Sequence, residues 1–310
     1  MHPRHRLTIA CLLAGLLLAC TTGPPQPRPP EHVRRNTYYM NKGVRLYNKG
    51  CFGRALIYFQ RAHRRYTAVD DLEGVCLCLN NIADIYMRTR KLDDALLVYD
   101  DAIEVAGHLN DTAWQVRAMG NKAAALIELD RLTEADLVLD QADAVGASGV
   151  HPALRLKTRA LLQIKRGDLL QARKLLKKAL AEADSTQEAN LSSVYYAMGH
   201  IGLLQNDPDD AVEQFERALH LDQKTASYWD IASDLAALGR SHARMEDHAQ
   251  AVHYFKRSAK IYALLQAVMQ TESIVVELQR SAVQADLDPQ ATLHWVDQWL
   301  SVENNADLCK

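Results

Sequence analysis

Six segments of this chain repeat one skeleton of small and large apolar residues at a spacing near forty. One small position is held by Ala55, Ala95, Ala135, Ala172, Ala211 and Ala251, at intervals of 40, 40, 37, 39 and 40 residues. Around it the first segment places Gly43, Gly50, Phe52, Phe59 and Ala62, and the second Ala83, Tyr86, Leu92, Tyr99 and Ala102. The third has Ala123, Leu126, Leu132, Leu139 and Ala142, and the fourth Ala160, Gly167, Leu169, Leu176 and Ala179. Gly199, Phe215 and Ala218, then Gly239, Phe255 and Ser258, complete the series. Ala291 and Trp295 extend it more weakly. One such unit cannot bury its apolar face alone, so the pattern requires neighbouring units to stack.

Within each segment apolar residues recur at i, i+3, i+4 and i+7, the period of a helix and not of a strand. Lys91-Leu92-Asp93-Asp94 puts acids into a first turn, and turns are expected at Lys49-Gly50, Arg166-Gly167-Asp168 and Asn206-Asp207-Pro208-Asp209. This arrangement resembles the tetratricopeptide repeat, with small residues at the crossing of two helices and a large ring beside it. The resemblance implies an all-α, right-handed solenoid of about six helical hairpins over residues 36–271. Residues 272–310 would form a degenerate, capping repeat in which Trp295 and Trp299 either cover the last apolar face or offer a contact patch. The loop from Gly146 to Pro152 is expected to be a hinge or a longer turn between two halves.

The N-terminus carries a different signal. Arg4 and Arg6 precede an apolar run from Leu7 to Ala19, the length of an export-signal core and too short for a bilayer, which needs about 20 residues. Leu17-Leu18-Ala19-Cys20 resembles the lipobox of bacterial lipoproteins, with Leu18 a departure from the smaller residue usual there. The resemblance implies cleavage after residue 19, acylation of Cys20 with diacylglycerol and a further acyl chain such as palmitate, and firm anchoring. Thr21 in place of a retention Asp implies the outer membrane, facing the periplasm. Residues 20–35 then hold five of the nine prolines and should form an extended tether.

Removing Arg4 and Arg6 with the signal leaves 34 basic residues against 38 acidic ones, a net charge of −4. That mildly acidic balance gives no general nucleic-acid footprint. Cys51, Cys76, Cys78 and Cys309 remain after Cys20. An oxidising compartment permits disulfides among them, but burial as small hydrophobes is the favoured reading. No metal-ligand spacing, phosphate loop or nucleophile motif is present, and His248 and His253 would diverge on one helix. Neither enzyme activity nor a cofactor, metal or small-molecule substrate is expected.

In the family resembled, the first helix of each hairpin lines a concave groove. Asn41, Asn81 and Asn121 fall at one groove position in three successive repeats. Similar long-repeat proteins use such Asn columns to pair with the backbone of an extended peptide; the alternative is that the amides tie helices together. Lys157, Lys165, Tyr196, His200, Arg240 and Arg244 fall at groove positions of the later repeats, where an acidic segment would fit. The expected role is a membrane-anchored adaptor that binds an envelope protein or peptide, in pilus, secretion or envelope-complex assembly. A self-associating scaffold and a cytoplasmic peptide-sensing regulator are the alternatives.

Overall fold

The computed structural model describes residues 31–145, 152–183, 188–301 and 309; the export signal, Cys20, the proline tether and the expected hinge at 146–151 lie outside the described residues. Fourteen helices and no strand occur among the described residues. They form seven successive hairpins: α1 Glu31–Asn48 with α2 Phe52–Thr67, α3 Leu72–Arg88 with α4 Leu92–His108, and α5 Thr112–Glu128 with α6 Leu132–Val145. Then come α7 Pro152–Arg166 with α8 Leu169–Glu182, α9 Glu188–Leu204 with α10 Pro208–Thr225, α11 Tyr228–Arg244 with α12 His248–Leu264, and α13 Val268–Gln284 with α14 Gln290–Ser301. The all-α solenoid expected from the repeats is the observed architecture.

Packing follows the repeated skeleton. Ala55, Ala95, Ala135, Ala172, Ala211 and Ala251 are all fully buried, as are Phe59, Tyr99, Phe215 and Phe255 to within 1%. Each ring fills the space beside a crossing that only a small residue permits. A Cβ built on Gly239 would lie 2.5 Å from Phe255, and one on Gly199 would lie 2.6 Å from Phe215. Burying each ring contributes roughly 1.5–3 kcal/mol, so both halves of the pair are needed.

The connections are equally regular. Asp70, Arg90, Asn110, Asp130, Asn206, Ala226, Glu246, Gln266 and Asp286 all adopt φ between 52° and 62°, and Gly50 and Gly167 φ of 78° and 84°. After each, a backbone N–H reaches back to the carbonyl five residues earlier, as Asp71 does to Tyr66 at 3.0 Å and Asp247 to His242 at 3.0 Å. Many next helices are then capped by the following aspartate: the Asp71, Asp111, Asp168, Asp207 and Asp247 side chains accept from backbone N–H groups of their first turns. The same turn geometry recurs at eleven of the junctions between successive helices.

The last hairpin departs from the others. Helix α14 lies across α12 rather than along α13, with Val296 buried against Phe255, Ala259 and Tyr262 and with Trp299 half-buried beside them. Trp299 thus covers the terminal core, while Trp295, 5.8 Å away ring to ring, is 50% exposed. Cys51 and Cys309 form a disulfide, a correction to the expectation that all four mature cysteines would be buried thiols. That bond joins residues 258 apart, a proximity no local pattern encodes. Cys76 and Cys78 are the buried free thiols expected, and burial pushes their pKa up to about 11 and about 12.

Candidate functional site: the concave face

Curvature brings the first two hairpins against the sixth. The Arg88 guanidinium, at the end of α3, donates to both Asp230 carboxylate oxygens at the start of α11, at 2.5 and 3.4 Å. Ser227 Oγ donates to the same carboxylate at 2.6 Å. Nearby, the Phe52 and Trp229 rings are 4.9 Å apart, and Trp229 in turn meets Tyr262 at 5.2 Å. Gly50 makes the approach possible, since a Cβ there would sit 3.1 Å from Leu265 and 3.3 Å from Trp229. Arg54 also donates to the Cys309 carbonyl. The first two hairpins are thereby fastened to the sixth and to Cys309.

The inner helices collect charge behind this closure. Asp84 accepts from Tyr99 Oη at 2.5 Å and from Asn121 Nδ2 at 3.1 Å. Burial raises the Asp84 pKa against the pull of Arg117 and the Tyr99 hydrogen bond. For Asp230 burial also acts upward, but Arg88 and Ser227 outweigh it and its pKa is lowered. Lys157 is half-buried; desolvation first and Arg88 second lower its pKa, although Asp84 and Asp230 oppose them. Asp84, Arg88, Lys157 and Asp230 thus form one interacting set spread over α3, α7 and α11.

Deeper still, Asp222 and Asp234 are 3% and 1% exposed. Ser192 Oγ donates to Asp222 at 2.5 Å. Burial first, then the neighbouring Asp222, push the Asp234 pKa up to about 10, and burial lifts Asp222 to about 6. Burial and the adjacent Asp222 thus favour the protonated form of Asp234.

The residues expected to line a groove have varied placements. Asn41 is exposed on α1. The Asn81 amide donates to its own helix at Leu77 O, 2.7 Å, and that of Asn121 to Asp84, so both amides are engaged inside the array. Lys157 donates to Ser193 Oγ at 3.2 Å, and Lys165 is exposed. Tyr196 packs on Phe215 and His200, at 5.4 and 4.9 Å between rings. Burial, then Arg240, hold the His200 pKa below its ordinary value. Arg240 grips Glu277 through both Nε and Nη2 at 2.7–3.2 Å, and Arg244 donates to the Leu203 carbonyl at 2.6 Å.

Two of these residues meet in an open cleft. Tyr196 and Arg240, with Arg90, Ser233, Tyr262 and Met269, line a volume of about 320 Å³ between α9, α11 and α13. The Ser233 and Tyr262 hydroxyls are 2.7 Å apart on its wall. Arg90 is itself paired with Glu128 at 2.6 Å, so both guanidiniums are positioned by acids of the array. Sequence reasoning missed Arg88, Asp230, Asp222 and Asp234. A lone acid inside the apolar run Ile231-Ala232-Ser233-Asp234-Leu235-Ala236 was the available signal for the last. No group of His, Cys, Asp or Glu positioned to hold a metal occurs among the described residues, and no described helix is long and apolar enough to cross a membrane.

Comparison with known proteins agrees with this architecture. Residues 75–110 and 192–225 match sequence profiles described as tetratricopeptide repeat. A search of curated protein sequences found no match. Among solved structures, a Rap protein complexed with competence and sporulation factor is 14% identical, with a TM-score of 0.56 over 81% of this chain and 76% of its own. A signal-transduction ATPase with a tetratricopeptide repeat sensor, from Pyrococcus horikoshii, is 15% identical, with a TM-score of 0.55 over 87% of this chain and 41% of its own. At such identities the likeness establishes the fold, and the chain is an α-solenoid carrying tetratricopeptide repeats.

Proposed function

We propose that this chain is a lipid-anchored adaptor of the cell envelope, held by Cys20, that offers its concave cleft to a protein partner in pilus, secretion or envelope-complex assembly. The observation that carries the reading is the open cleft between α9, α11 and α13. Its two guanidiniums, two phenols and apolar Met269 rim suit a segment with an acidic side chain beside an apolar one. Lipidation rests on the apolar leader and the Leu-Leu-Ala-Cys run. The tetratricopeptide repeats and the open cleft support a binding role.

Two measurements test it. Labelling with radioactive palmitate should mark the chain and fail with Cys20→Ala; label surviving that change would remove Cys20 as the anchor. Cross-linking and mass spectrometry on intact envelopes should identify a partner whose yield falls with Met269→Glu, a change at a side chain 71% exposed. A partner captured equally by both forms would move binding away from the cleft.

A self-associating scaffold is favoured by one other feature. Because α14 lies across α12, Met269, Val276 and Val283 form a bare stripe on α13, 71%, 54% and 79% exposed. Sedimentation equilibrium of the wild type and of Val276→Glu with Val283→Glu decides it: a monomeric wild type ends this reading.

A further inference from the structure

The first hairpin carries a charge unlike the rest of the chain. Residues 31–67 hold nine Arg or Lys and one acid, Glu31, for a net charge of +8. Residues 68–310 hold 24 Arg or Lys against 37 acids, for a net charge of −13. The near-neutral total hides this split.

The structure places much of the excess on the outside. Arg34, Arg35, Arg45, Arg61 and Arg64 are exposed. Among the described residues only Arg35 of these five makes an ion pair, with the adjacent-turn Glu31. Aromatic rings are set among the guanidiniums: Arg61 lies 5.9 Å over Tyr58 and Arg65 5.8 Å over Tyr39. Tyr39 meets Tyr58 at 6.2 Å and Tyr38 at 5.5 Å. Tyr38 is 55% exposed, and Val33, Val44 and Ile57 protrude beside the cations. A recess of about 300 Å³ is lined by Arg34, Arg35, Tyr38 and Tyr39 together with Glu31, which is paired with Arg35.

We propose that this hairpin docks on an anionic lipid surface. Guanidiniums pair with headgroup phosphates, and tyrosines with apolar neighbours suit the boundary between headgroup and acyl chain. Such a surface is broad and diffuse, which matches cations spread over both helices better than a pocket-seeking ligand would. The acidic remainder is repelled by the same surface, so the array would be directed away from it. Position in the chain agrees, because α1 directly follows the segment that would bear the acyl anchor. The proposal takes only this last point from the anchor reading, and its test dispenses with acylation.

Residues 21–310, which contain every described residue, would be sedimented with vesicles of phosphatidylethanolamine, with and without phosphatidylglycerol. Binding is expected only with phosphatidylglycerol, and it should disappear at 1 M salt, where the Debye length falls to about 3 Å. Each basic residue at such a surface contributes about fivefold, so Arg61→Glu with Arg64→Glu should weaken partitioning at least about 25-fold. Lys177→Glu with Lys178→Glu, an equal charge change on exposed positions of α8, should leave it nearly unchanged. Circular dichroism checks that both variants fold. No binding to phosphatidylglycerol vesicles, or an equal loss in both double variants, would overturn the proposal. So would tighter binding to single-stranded DNA or polyglutamate than to the vesicles. Failed palmitate labelling with intact vesicle binding would instead remove the anchor alone.

Discussion

Arg88 and Asp230 are 142 residues apart in the chain and 2.5 Å apart in space. The pair ties the second hairpin to the sixth, yet both side chains keep about a third of their surface exposed, at 36% and 31%. Solvent screening therefore limits its worth. A double-mutant cycle with Arg88→Ala and Asp230→Ala should give a coupling of about 1 kcal/mol in urea midpoints. Arg88→Ala should also enlarge the radius of gyration in small-angle scattering. No coupling together with unchanged scattering would mean that the array stays closed without this pair.

The glycine opposite each of Phe59, Phe215 and Phe255 gives a sharper contrast. Gly239→Ala would drive a methyl to 2.5 Å from Phe255, and overpacking of this kind costs about 1–3 kcal/mol. Gly53 also lies in a helix but meets nothing within 4 Å. Gly53→Ala should therefore stabilise by roughly 0.5–1 kcal/mol through helix propensity. Thermal or urea unfolding would expose an error directly if the two changes moved stability in the same direction.

Stability should fall as pH rises, because of Asp222 and Asp234. Both folded pKa values lie above the ordinary 3.8, at about 6 and about 10. The folded chain thus binds more protons than the unfolded one between those limits. The contribution of the pair is full below pH 3.8 and is lost through about 6 and then about 10. Asp234→Asn retains a donor for Asp222 and cannot ionise, so its urea midpoint should exceed that of the wild type at pH 9 and lose less between pH 7 and pH 9. A steeper loss in the variant would contradict the raised Asp234 pKa.

Ala226 adopts φ 53° at the junction of α10 and α11, where a Cβ costs roughly 1–2 kcal/mol. Ala226→Gly relieves that cost but enlarges unfolded-chain freedom, so a net gain of about 0.5–1 kcal/mol is expected. Asn206→Gly, at φ 58°, should gain less, since asparagine tolerates this region well. Chemical unfolding of the two variants side by side would reveal whether the turns carry strain at all.

Much of the architecture was legible in the amino-acid order because it is local. Ala95 and Tyr99 each recur with their repeat, and Gly50, Gly167 and Asn206 mark turns that do form. The cleft was half legible: Tyr196 and Arg240 stand out by position, whereas Arg90 and Met269 join them only through curvature. Asn81 and Asn121 show the limit, since spacing gives the repeat position but not the rotamer, which turns their amides to Leu77 and Asp84. Contacts such as Phe52 with Trp229 carry no periodic mark, because they depend on the accumulated bend of five hairpins. The charge of α1 and α2 was visible throughout, but summing over the whole chain cancelled it.

Linear repeat stacks ordinarily lose their outermost units first, because a terminal hairpin has one neighbour instead of two. The Cys51–Cys309 bond and the Phe52–Trp229 contact give the opening hairpin a second neighbour, taken from the far end of the same chain. Fraying at the entrance then has to carry the exit with it. A tug between the termini would pass through α1 and then the cross-link, so the hairpins enclosed between Cys51 and Cys309 should be shielded from it and not peel apart link by link.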